Sequence, residues 1–265
     1  MKDLSLIDNQ GLSFKSNYSH IIIRKINDTI AMSFIRDSGE EVIETIFDPK
    51  EPYKLLATCS KYMFLSYLFC PKQERVLLVG LGGGAMTRFL RHYDPNVHID
   101  VVEIDPVVIK LAYEYFGVKD DSKLNIIQKD GYLYLKDTEL QYDAIYMDAF
   151  LKPTKETDIT GAPNRLHTRK FYKTLMKKIK PNGLIIFNLN DHPGIEDALK
   201  VIYRTFPKVH TYRVDNFSNS VNVIAIASLS KKQEELSTLT TRAKELEDRF
   251  DINFSDMLKS EINRN

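Results

Sequence analysis

Cysteine, tryptophan and long apolar runs are scarce in this sequence of 265 residues, and neither sign of charge is in excess. The chain contains no tryptophan and only two cysteines, Cys59 and Cys70, which lie eleven positions apart. That pair has neither the spacing of a metal site nor the density of a disulfide framework. We therefore expect two reduced structural thiols and no bound metal.

Charge and hydropathy exclude several classes of partner. Lysine and arginine number 37 against 36 aspartates and glutamates, which leaves a net charge of +1 with the two signs well mixed. This balance provides no basic surface for nucleic acid and no acidic surface for a polycation. The longest apolar run, Tyr62 to Cys70, is far shorter than the roughly 20 residues that span a bilayer. Because Met1-Lys2-Asp3 leads into polar sequence, not a signal segment, the sequence predicts a cytoplasmic protein without membrane partners.

Residues 76–148 carry the clearest pattern in the chain. An apolar run, 76–79, leads into Gly80-Leu81-Gly82-Gly83-Gly84 and then into a helix-forming segment, and a second apolar run ends at Glu103. Glycines accept positive φ and, without a Cβ, let the backbone approach a ligand closely. An acid about twenty residues later, at a strand's carboxyl end, is placed to accept ribose hydroxyls. The order of strand, glycine turn, helix, strand and acid predicts a nucleotide-binding unit.

Elements are predicted on both sides of this unit. Short alternating segments at 21–23, 29–34 and 42–46 indicate a small antiparallel sheet. Asp48 and Pro49 are typical of an N-cap and first helical position, and they predict a helix that runs from Pro52 to about Phe69. Beyond it, apolar runs predict strands at 76–79, 99–102, 124–128, 143–147, 183–189 and 221–227, and helical patterns lie near 85–93, 106–116, 168–178 and 194–205.

This alternation predicts an α/β fold with a doubly wound, Rossmann-like, mostly parallel sheet. Apolar positions spaced among charges after residue 231 predict an amphipathic C-terminal helix, packed on the domain or on a neighbour. The chain therefore divides into a small N-terminal β-sheet region (1–50), a Rossmann-like nucleotide-binding domain (51–230) and a C-terminal helix (231–265).

Several motifs resemble the spermidine/spermine synthase family, the polyamine aminopropyltransferases, which have the class I S-adenosylmethionine-dependent methyltransferase fold. These motifs are Val-Leu-Leu-Val-Gly-Leu-Gly-Gly-Gly from Val76, Val-Val-Glu-Ile-Asp-Pro from Val101, Lys129-Asp130-Gly131, Tyr142 to Asp148, and Gly161-Ala162-Pro163 with Leu166 and Phe171-Tyr172. The likeness covers roughly residues 15–228. It implies a seven-stranded sheet whose last strand, 221–227, is antiparallel. It also implies an N-terminal sheet that helps to cover the acceptor pocket and mediates homodimers.

The resemblance implies a site for S-adenosylmethionine or for its decarboxylated form. Glu103 would hold the ribose, Ile104 would pack on the adenine, and Asp130 would bind the adenine amino group. The glycines would surround the methionine moiety. The full set of predicted donor-binding residues is Gly80, Gly82, Gly83, Gly84, Glu103, Ile104, Asp130 and Gly131.

Asp148, at the end of the fourth parallel strand, is the predicted catalytic residue. The carbon next to a sulfonium is already activated, so the protein has only to position an acceptor and remove its proton. An alkyl amine with a pKa of about 10.4 is protonated at neutral pH and cannot attack until a carboxylate takes that proton. The alternative to a catalytic role is that Asp148 is a loop acid that only caps the following turn. The connection from Ala149 to Leu166 is long for a compact domain, which favours a lid.

Three departures from the family pattern bear on the substrates. The family's aspartate that pairs with the amine of the decarboxylated donor is replaced by Gly83, which would leave room for a carboxylate and offer a backbone N–H to it. The acid that holds the diamine becomes Leu151, and a third acid becomes Leu55. Each charge-assisted hydrogen bond contributes about 1.5–3 kcal/mol, so losing three acids disfavours a polyamine by roughly a thousandfold or more.

The sequence leaves three hypotheses. The first is an S-adenosylmethionine-dependent methyltransferase that acts on a small-molecule acceptor, favoured as an amine. The second is an aminopropyltransferase with a rebuilt acceptor site, which would draw on Glu156, Asp158, Glu41 or Glu44. The third is a nucleotide-binding partner protein without turnover.

Overall fold

A computed structural model describes residues 2–8, 10–217, 220–231 and 234–264 of the chain. The N-terminal part forms an antiparallel sheet in which each strand pairs with the next. Alternation along these strands buries Ile21, Ile23 and Met32 on one face. The three predicted strands are confirmed, and a fourth precedes them. The strands are β1 (Leu12–Lys15), β2 (His20–Ile26), β3 (Thr29–Ile35) and β4 (Glu41–Phe47).

The helix predicted from Pro52 to Phe69 is wrong over its first half. Residues 48–57 form turns, and helix begins only with α1 (Thr58–Met63) and α2 (Ser66–Phe69). Asp48 does not cap a helix, because its side chain accepts the amide of Lys50 within a turn. Pro52 suits a first helical position, but its carbonyl accepts a hydrogen bond from the Arg88 side chain at 2.9 Å in place of an amide of a following helical turn.

The central sheet has eight strands in the order β12-β10-β11-β9-β8-β5-β6-β7, and β11 and β12 run antiparallel to their neighbours. The strands are β5 (Arg75–Val79), β6 (His98–Glu103), β7 (Leu124–Gln128), β8 (Tyr142–Met147), β9 (Ile179–Asn190), β10 (Lys208–Asp215), β11 (Val221–Ser228) and β12 (Glu261–Arg264). The six strands predicted for this sheet are confirmed, and so is the antiparallel orientation of the last of them, β11. Strands β10 and β12 were not predicted.

Helices cover both faces of this sheet, as in a doubly wound fold. They are α3 (Ala85–Tyr93), α4 (Pro106–Tyr115), α5 (Gly131–Asp137), α6 (Arg169–Leu175) and α7 (Ile195–Thr205), followed by α8 (Leu236–Arg249) and α9 (Phe254–Lys259). Alternate residues of β5 enter opposite cores: Leu78 packs in one cluster and Leu77 in the other. Among the described residues, no helix has the length and apolarity needed to cross a membrane.

The C-terminal region differs from the single helix that we predicted. Helix α8 has the expected buried stripe of Leu239, Ala243 and Leu246, but it ends at Arg249. Asn253 then caps α9 by accepting the amide of Asp256. The chain finally adds β12 to the edge of the sheet beside β10, which makes the sheet one strand larger than expected. The division of the chain into three regions remains a prediction.

The N-terminal sheet is attached to the Rossmann-like part by buried polar contacts. The Asp105 carboxylate, which caps α4, accepts hydrogen bonds from the hydroxyls of Ser16 and Ser19, each at 2.5 Å. Thr45 of β4 lies against the glycine turn. These contacts place β4 over the carboxyl ends of the parallel strands.

Candidate active site

A cavity of about 630 Å³ opens above the carboxyl ends of β5, β6 and β8. From β5, the chain continues to β6 on one side of this strand and later returns to β8 on its other side. Open α/β sheets bind ligands at such a reversal of strand order. Strand β4 and the lid loop, defined as residues 149–166, contribute the other walls. The acidic residues that line the cavity are Glu40, Glu41, Glu44, Glu103, Asp105, Asp130, Asp148 and Asp191. Arg36 and Arg165 are the arginines among the lining residues, so a cationic ligand suits this chamber.

Gly80 is required where the first strand ends. Its φ is 102°, and a Cβ added there would lie 2.1 Å from the backbone oxygen of Asp148. Only glycine permits this approach, because a Cβ would drive the two strand ends apart. The turn therefore holds the backbone of Asp148 directly beside the start of the glycine segment.

Gly83 is not placed as the sequence suggested. Its amide donates to the Thr45 hydroxyl at 2.9 Å, and a Cβ on Gly83 would meet Thr45 and Phe116 within 2.8 Å. Gly83 and Gly84 are absent from the residues that line the cavity, whereas Gly80 and Gly82 line it. The prediction that Gly83 leaves room and a free N–H for the donor is therefore wrong, because β4 occupies that space.

The start of α3 offers other amides to the cavity. Gly82, Ala85 and Met86 line it, and their N–H groups have no acceptor among the described residues. The first turn of this nine-residue helix contains no acidic side chain. Unsatisfied amides and the helix dipole favour a negative group at this position.

Glu103 is buried and held by two backbone amides. One carboxylate oxygen accepts the N–H of Leu81 and the other accepts the N–H of Asp105, each at 2.9 Å. Burial raises the pKa of Glu103, and the amide hydrogen bonds oppose that rise. Each oxygen retains a further lone pair for a ligand hydroxyl. Ile104 lines the cavity beside it.

Asp130 caps α5 and lines the cavity. One carboxylate oxygen accepts the amide of Leu133 at 3.1 Å, and the other pairs with Arg165 of the lid loop. Gly131 lines the same wall, and a Cβ on it would meet Val79 at 2.7 Å. An adenine amino group that bound Asp130 would therefore have to share this carboxylate with Arg165.

Asp148 follows β8, and its amide donates to the carbonyl of Val79 at 2.9 Å. One oxygen of its carboxylate accepts a hydrogen bond from the side-chain amide of Asn188 at 2.8 Å. Burial raises the pKa of Asp148, while the Asn188 hydrogen bond lowers it. The group therefore lies at the floor of the cavity, with one oxygen fixed and the other open.

Glu44 brings a second carboxyl group to Asp148. It lies on β4, accepts no hydrogen bond and forms no ion pair within the described part of the chain. Burial raises its pKa to about 8, the Asp148 charge adds to the rise, and Arg36 opposes it. Glu44 is partly buried, accepts no hydrogen bond and lies near a second carboxyl group. Each of these conditions disfavours its ionised form, so Glu44 keeps its proton.

The other acids proposed for a rebuilt acceptor site are less suitable. Glu156 is exposed and does not line the cavity. One oxygen of Asp158 accepts three hydrogen bonds from its own loop, two of them from Thr160. Glu41 lines the cavity but pairs with Arg24 at 2.7 Å. Of the acids predicted for that role, Glu44 is the one that faces Asp148.

The lid loop is tied down at both ends. Lys152 pairs with Asp37 of the β3–β4 turn, and Arg165 pairs with Asp130. In between, the amide of Leu151 donates to the carbonyl of Gly161 at 2.9 Å. Apolar residues of the loop line the cavity, so its acceptor side combines carboxylates with apolar side chains. These residues are Ala149, Phe150, Leu151, Leu166 and Ile159, of which Ile159 is also 64% exposed to solvent.

A model of the spermine/spermidine synthase domain matches residues 61–230, more than half of the chain. The chain belongs to this family. It is 28% identical over 224 residues to a polyamine aminopropyltransferase of Vibrio vulnificus, which covers 83% of this chain and 73% of that protein. It is 29% identical over 154 residues to an eEF1A lysine and N-terminal methyltransferase homolog of Drosophila melanogaster, which covers 56% of this chain and 23% of that protein.

Solved structures agree on the fold. Human methyltransferase-like protein 13 in complex with SAH aligns with a TM-score of 0.61 and 24% identity, over 72% of this chain and 88% of that one. A spermidine synthase in complex with the transition-state analogue AdoDATO aligns with a TM-score of 0.69 and 18% identity, over 94% and 82%. The predicted family and its methyltransferase-type fold are confirmed, as is the grouping with alkyl-transferring enzymes, because the relatives are named as such.

In this member of the family, the cavity brings together most of the predicted site residues. Gly80, Gly82, Glu103, Ile104, Asp130, Gly131 and Asp148 line it, and Gly83 and Gly84 lie behind it. Sequence reasoning missed Asn188 and Asn222. The alternation Asn188-Leu189-Asn190 at the end of an apolar strand was a signal for Asn188, and Asn222 had no comparable pattern around it. Among the described residues, no three His, Cys, Asp or Glu side chains gather as a metal site would require.

Proposed function

We propose that this protein transfers a methyl group from S-adenosylmethionine to an amine. One observation carries the proposal: Glu103, the acid-free start of α3 and Asp148 line a single cavity. In the reaction, the amine nitrogen forms a bond to the methyl carbon while the carbon–sulfur bond breaks. The sulfonium becomes a neutral thioether, and the amine loses one proton.

The residues on the donor side fit the carboxylated donor better than its decarboxylated form. The free amides of Gly82, Ala85 and Met86 would donate hydrogen bonds to the carboxylate of S-adenosylmethionine, and Glu103 would accept hydrogen bonds from its ribose hydroxyls. Decarboxylation replaces that carboxylate by a hydrogen, so the decarboxylated donor would leave these N–H groups at the positive end of the helix dipole without a negative partner. Neighbouring folds in complex with SAH and with AdoDATO support an adenosyl ligand of this kind.

The residues on the acceptor side fit an amine. Asp148 and Glu44 together offer one negative charge and one proton-bearing oxygen at the floor of the cavity. An ammonium held by Asp148 can release its proton there, and the carboxylate stabilises the positive charge that develops on nitrogen during transfer. The apolar lid excludes water from the reacting atoms, which strengthens that interaction.

Calorimetry tests the donor assignment. We expect S-adenosylmethionine to bind with a Kd in the micromolar range and more tightly than the decarboxylated donor. The reverse preference would overturn the proposal, since it would mean that a carboxylate is disfavoured at the start of α3. Turnover is then measured as S-adenosylhomocysteine formed with alkyl amines of increasing length.

A second candidate is aminopropyl transfer to a diamine. Glu44 favours it, because this residue restores an acid on the acceptor side where Leu151 replaces one. The aminopropyltransferase relative, matched over 83% of this chain, also supports it. Incubation with the decarboxylated donor and 1,4-diaminobutane separates the two candidates. Methylthioadenosine formed faster than S-adenosylhomocysteine in the parallel reaction would favour aminopropyl transfer.

A further inference from the structure

Four asparagine side chains lie together on the cavity wall beside Asp148. Two of them, Asn188 and Asn190, project from the same face of β9, and Asn222 of β11 pairs in register with Asn190. Asn188 and Asn222 are only 7% and 2% exposed. Buried amides are costly unless each finds a partner, and aliphatic side chains would fill the same space without that requirement. The four residues are Asn188, Asn190, Asn216 and Asn222.

Three of these amides form a chain that ends on Asp148. The Nδ2 of Asn216 donates to Oδ1 of Asn222 at 3.1 Å, and the Nδ2 of Asn222 donates to Oδ1 of Asn188 at 2.8 Å. The Nδ2 of Asn188 then donates to Oδ1 of Asp148 at 2.8 Å. The carboxylate sets this direction, because a flipped Asn188 would turn its own oxygen toward Asp148. Hydrogen bonds aligned in one sense polarise one another, so the last bond is strengthened by those behind it.

Asn190 lies beside this chain without being part of it. It accepts the second N–H of Asn222 through its Oδ1 at 2.7 Å, and no contact links its side chain to Asp148 among the described residues. It therefore shares the strand, the cavity and the network with Asn188 but not the path to the carboxylate.

The groups around Asp148 differ in what they offer it. Glu44 on β4 carries the second carboxyl group, and Arg36 acts on Glu44 and pairs with Glu40 at 3.1 Å. Burial raises the pKa of the Cys59 thiol to about 12, so this neighbour on α1 stays neutral. Asp191, at the end of β9, pairs with Arg213 at 2.6 Å, and His192 lies 3.5 Å from Asp158. Asp148 is thus the carboxyl group that accepts a hydrogen bond, and Glu44 is the one that accepts none.

We propose that the amides of Asn216, Asn222 and Asn188 form a directed chain that keeps Asp148 ionised and leaves the proton of the carboxyl pair on Glu44. Asn222 and Asn216 act through Asn188 and are positioning residues. The inference deepens the proposed function and rests on it for the role of Asp148 as base. Asp148 and Glu44 then have distinct tasks, one as base and one as proton carrier, because their environments give them different pKa values.

Carboxyl ¹³C NMR of the free, full-length protein tests this division. Labelled aspartate and glutamate are titrated from pH 4 to about 10, and the Asp148 and Glu44 signals are assigned by their loss in Asp148→Asn and Glu44→Gln. Asn188→Ala should raise the pKa of Asp148 by about one pH unit, since it removes a hydrogen bond to a charged group. Asn222→Ala should raise it by a smaller amount, and the matched variant Asn190→Ala should leave it unchanged.

The two carboxyl variants test which group holds the proton. Glu44→Gln should leave the pKa of Asp148 in place, because a neutral amide replaces a neutral acid. Asp148→Asn should lower the pKa of Glu44, because a negative neighbour is removed. The proposal would be overturned if Glu44→Gln changed the pKa of Asp148 while Asp148→Asn left the pKa of Glu44 in place. Equal shifts of the Asp148 pKa in Asn222→Ala and Asn190→Ala would also overturn it.

Folding failure does not remove the test. If Asn222→Ala does not fold, Asn216→Ala replaces it, because Asn216 lies one hydrogen bond further from Asp148 at a less buried position. Asn216→Ala should still raise the pKa of Asp148. An unchanged pKa would count against the chain of amides. The titrations need no substrate. Absent methyl transfer would therefore overturn the proposed function while leaving the charge assignment standing, and the reverse also holds.

Discussion

Replacing Glu103 by glutamine is the most direct test of the donor site. Both carboxylate oxygens are used by backbone amides, from Leu81 and from Asp105, at 2.9 Å. Glutamine keeps one acceptor and turns an NH₂ group toward the other amide, so one contact becomes repulsive. A ribose hydroxyl that had bonded to the charged oxygen also loses its acceptor.

The expected loss of donor affinity follows from these contacts. A hydrogen bond to a charged group contributes about 1.5–3 kcal/mol, and in the proposed complex two ribose hydroxyls would face one carboxylate. Loss of one bond and weakening of the other amounts to about 3 kcal/mol, on the order of a 150-fold rise in Kd. Folding should also suffer, because the buried amide opposite the new NH₂ is left unsatisfied at a cost of about 1–3 kcal/mol.

Calorimetry with S-adenosylmethionine and thermal unfolding are measured on the same samples. Asp100→Asn is the matched control: Asp100 lies on the same strand, is 1% exposed and pairs with Arg75, but it does not line the cavity. Both variants should unfold at lower temperature than the parent protein, and Glu103→Gln alone should lose affinity. If Glu103→Gln binds the donor within about threefold of the parent, Glu103 does not hold the ribose and the orientation of the donor is wrong.

Three further predictions concern the remaining walls of the cavity. Asp148→Asn should abolish turnover while calorimetry finds donor affinity within a few-fold of the parent; unchanged turnover would remove Asp148 from the mechanism. Gly80→Ala should lower both melting temperature and turnover, since its Cβ would lie 2.1 Å from the Asp148 carbonyl oxygen at a φ of 102°; full activity would contradict the close approach. Glu44, with a pKa raised from 4.5 to about 8, binds more protons in the folded state, so its contribution to stability is lost as pH rises through that range. Denaturant unfolding of Glu44→Gln should therefore show a gain over the parent that grows between pH 5 and 8 by at most about 1.4 kcal/mol per pH unit, and a constant difference would refute the shift.

Local patterns in the sequence were sufficient for the nucleotide-binding unit. The apolar run of β5, the glycine turn, α3 and β6 lie where the sequence placed them, because each depends on residues that are neighbours along the chain. Asp105 and Asp130 cap α4 and α5 through equally local contacts, to amides two or three residues away, although we predicted neither cap and did not predict α5. Residues 48–57 failed this reasoning because the Pro52 carbonyl binds the side chain of Arg88, 36 residues later, and a local pattern carries no sign of that contact.

Only the tertiary structure decided what surrounds those elements. The sequence suggested an open position at Gly83. In the structure, Thr45, 38 residues earlier, lies against Gly83, and its hydroxyl accepts a hydrogen bond from the Gly83 amide. Strand β12 forms because β10 offers a free edge, and nothing within 261–264 specifies that partner. Asn222 and Asn188 meet 34 residues apart, and Glu44 reaches Asp148 only after the N-terminal sheet docks. Periodicity along the chain specifies helices, strands and the strand ends, whereas the charge and hydrogen bonding of Asp148 depend on distant segments that packing alone brings into contact.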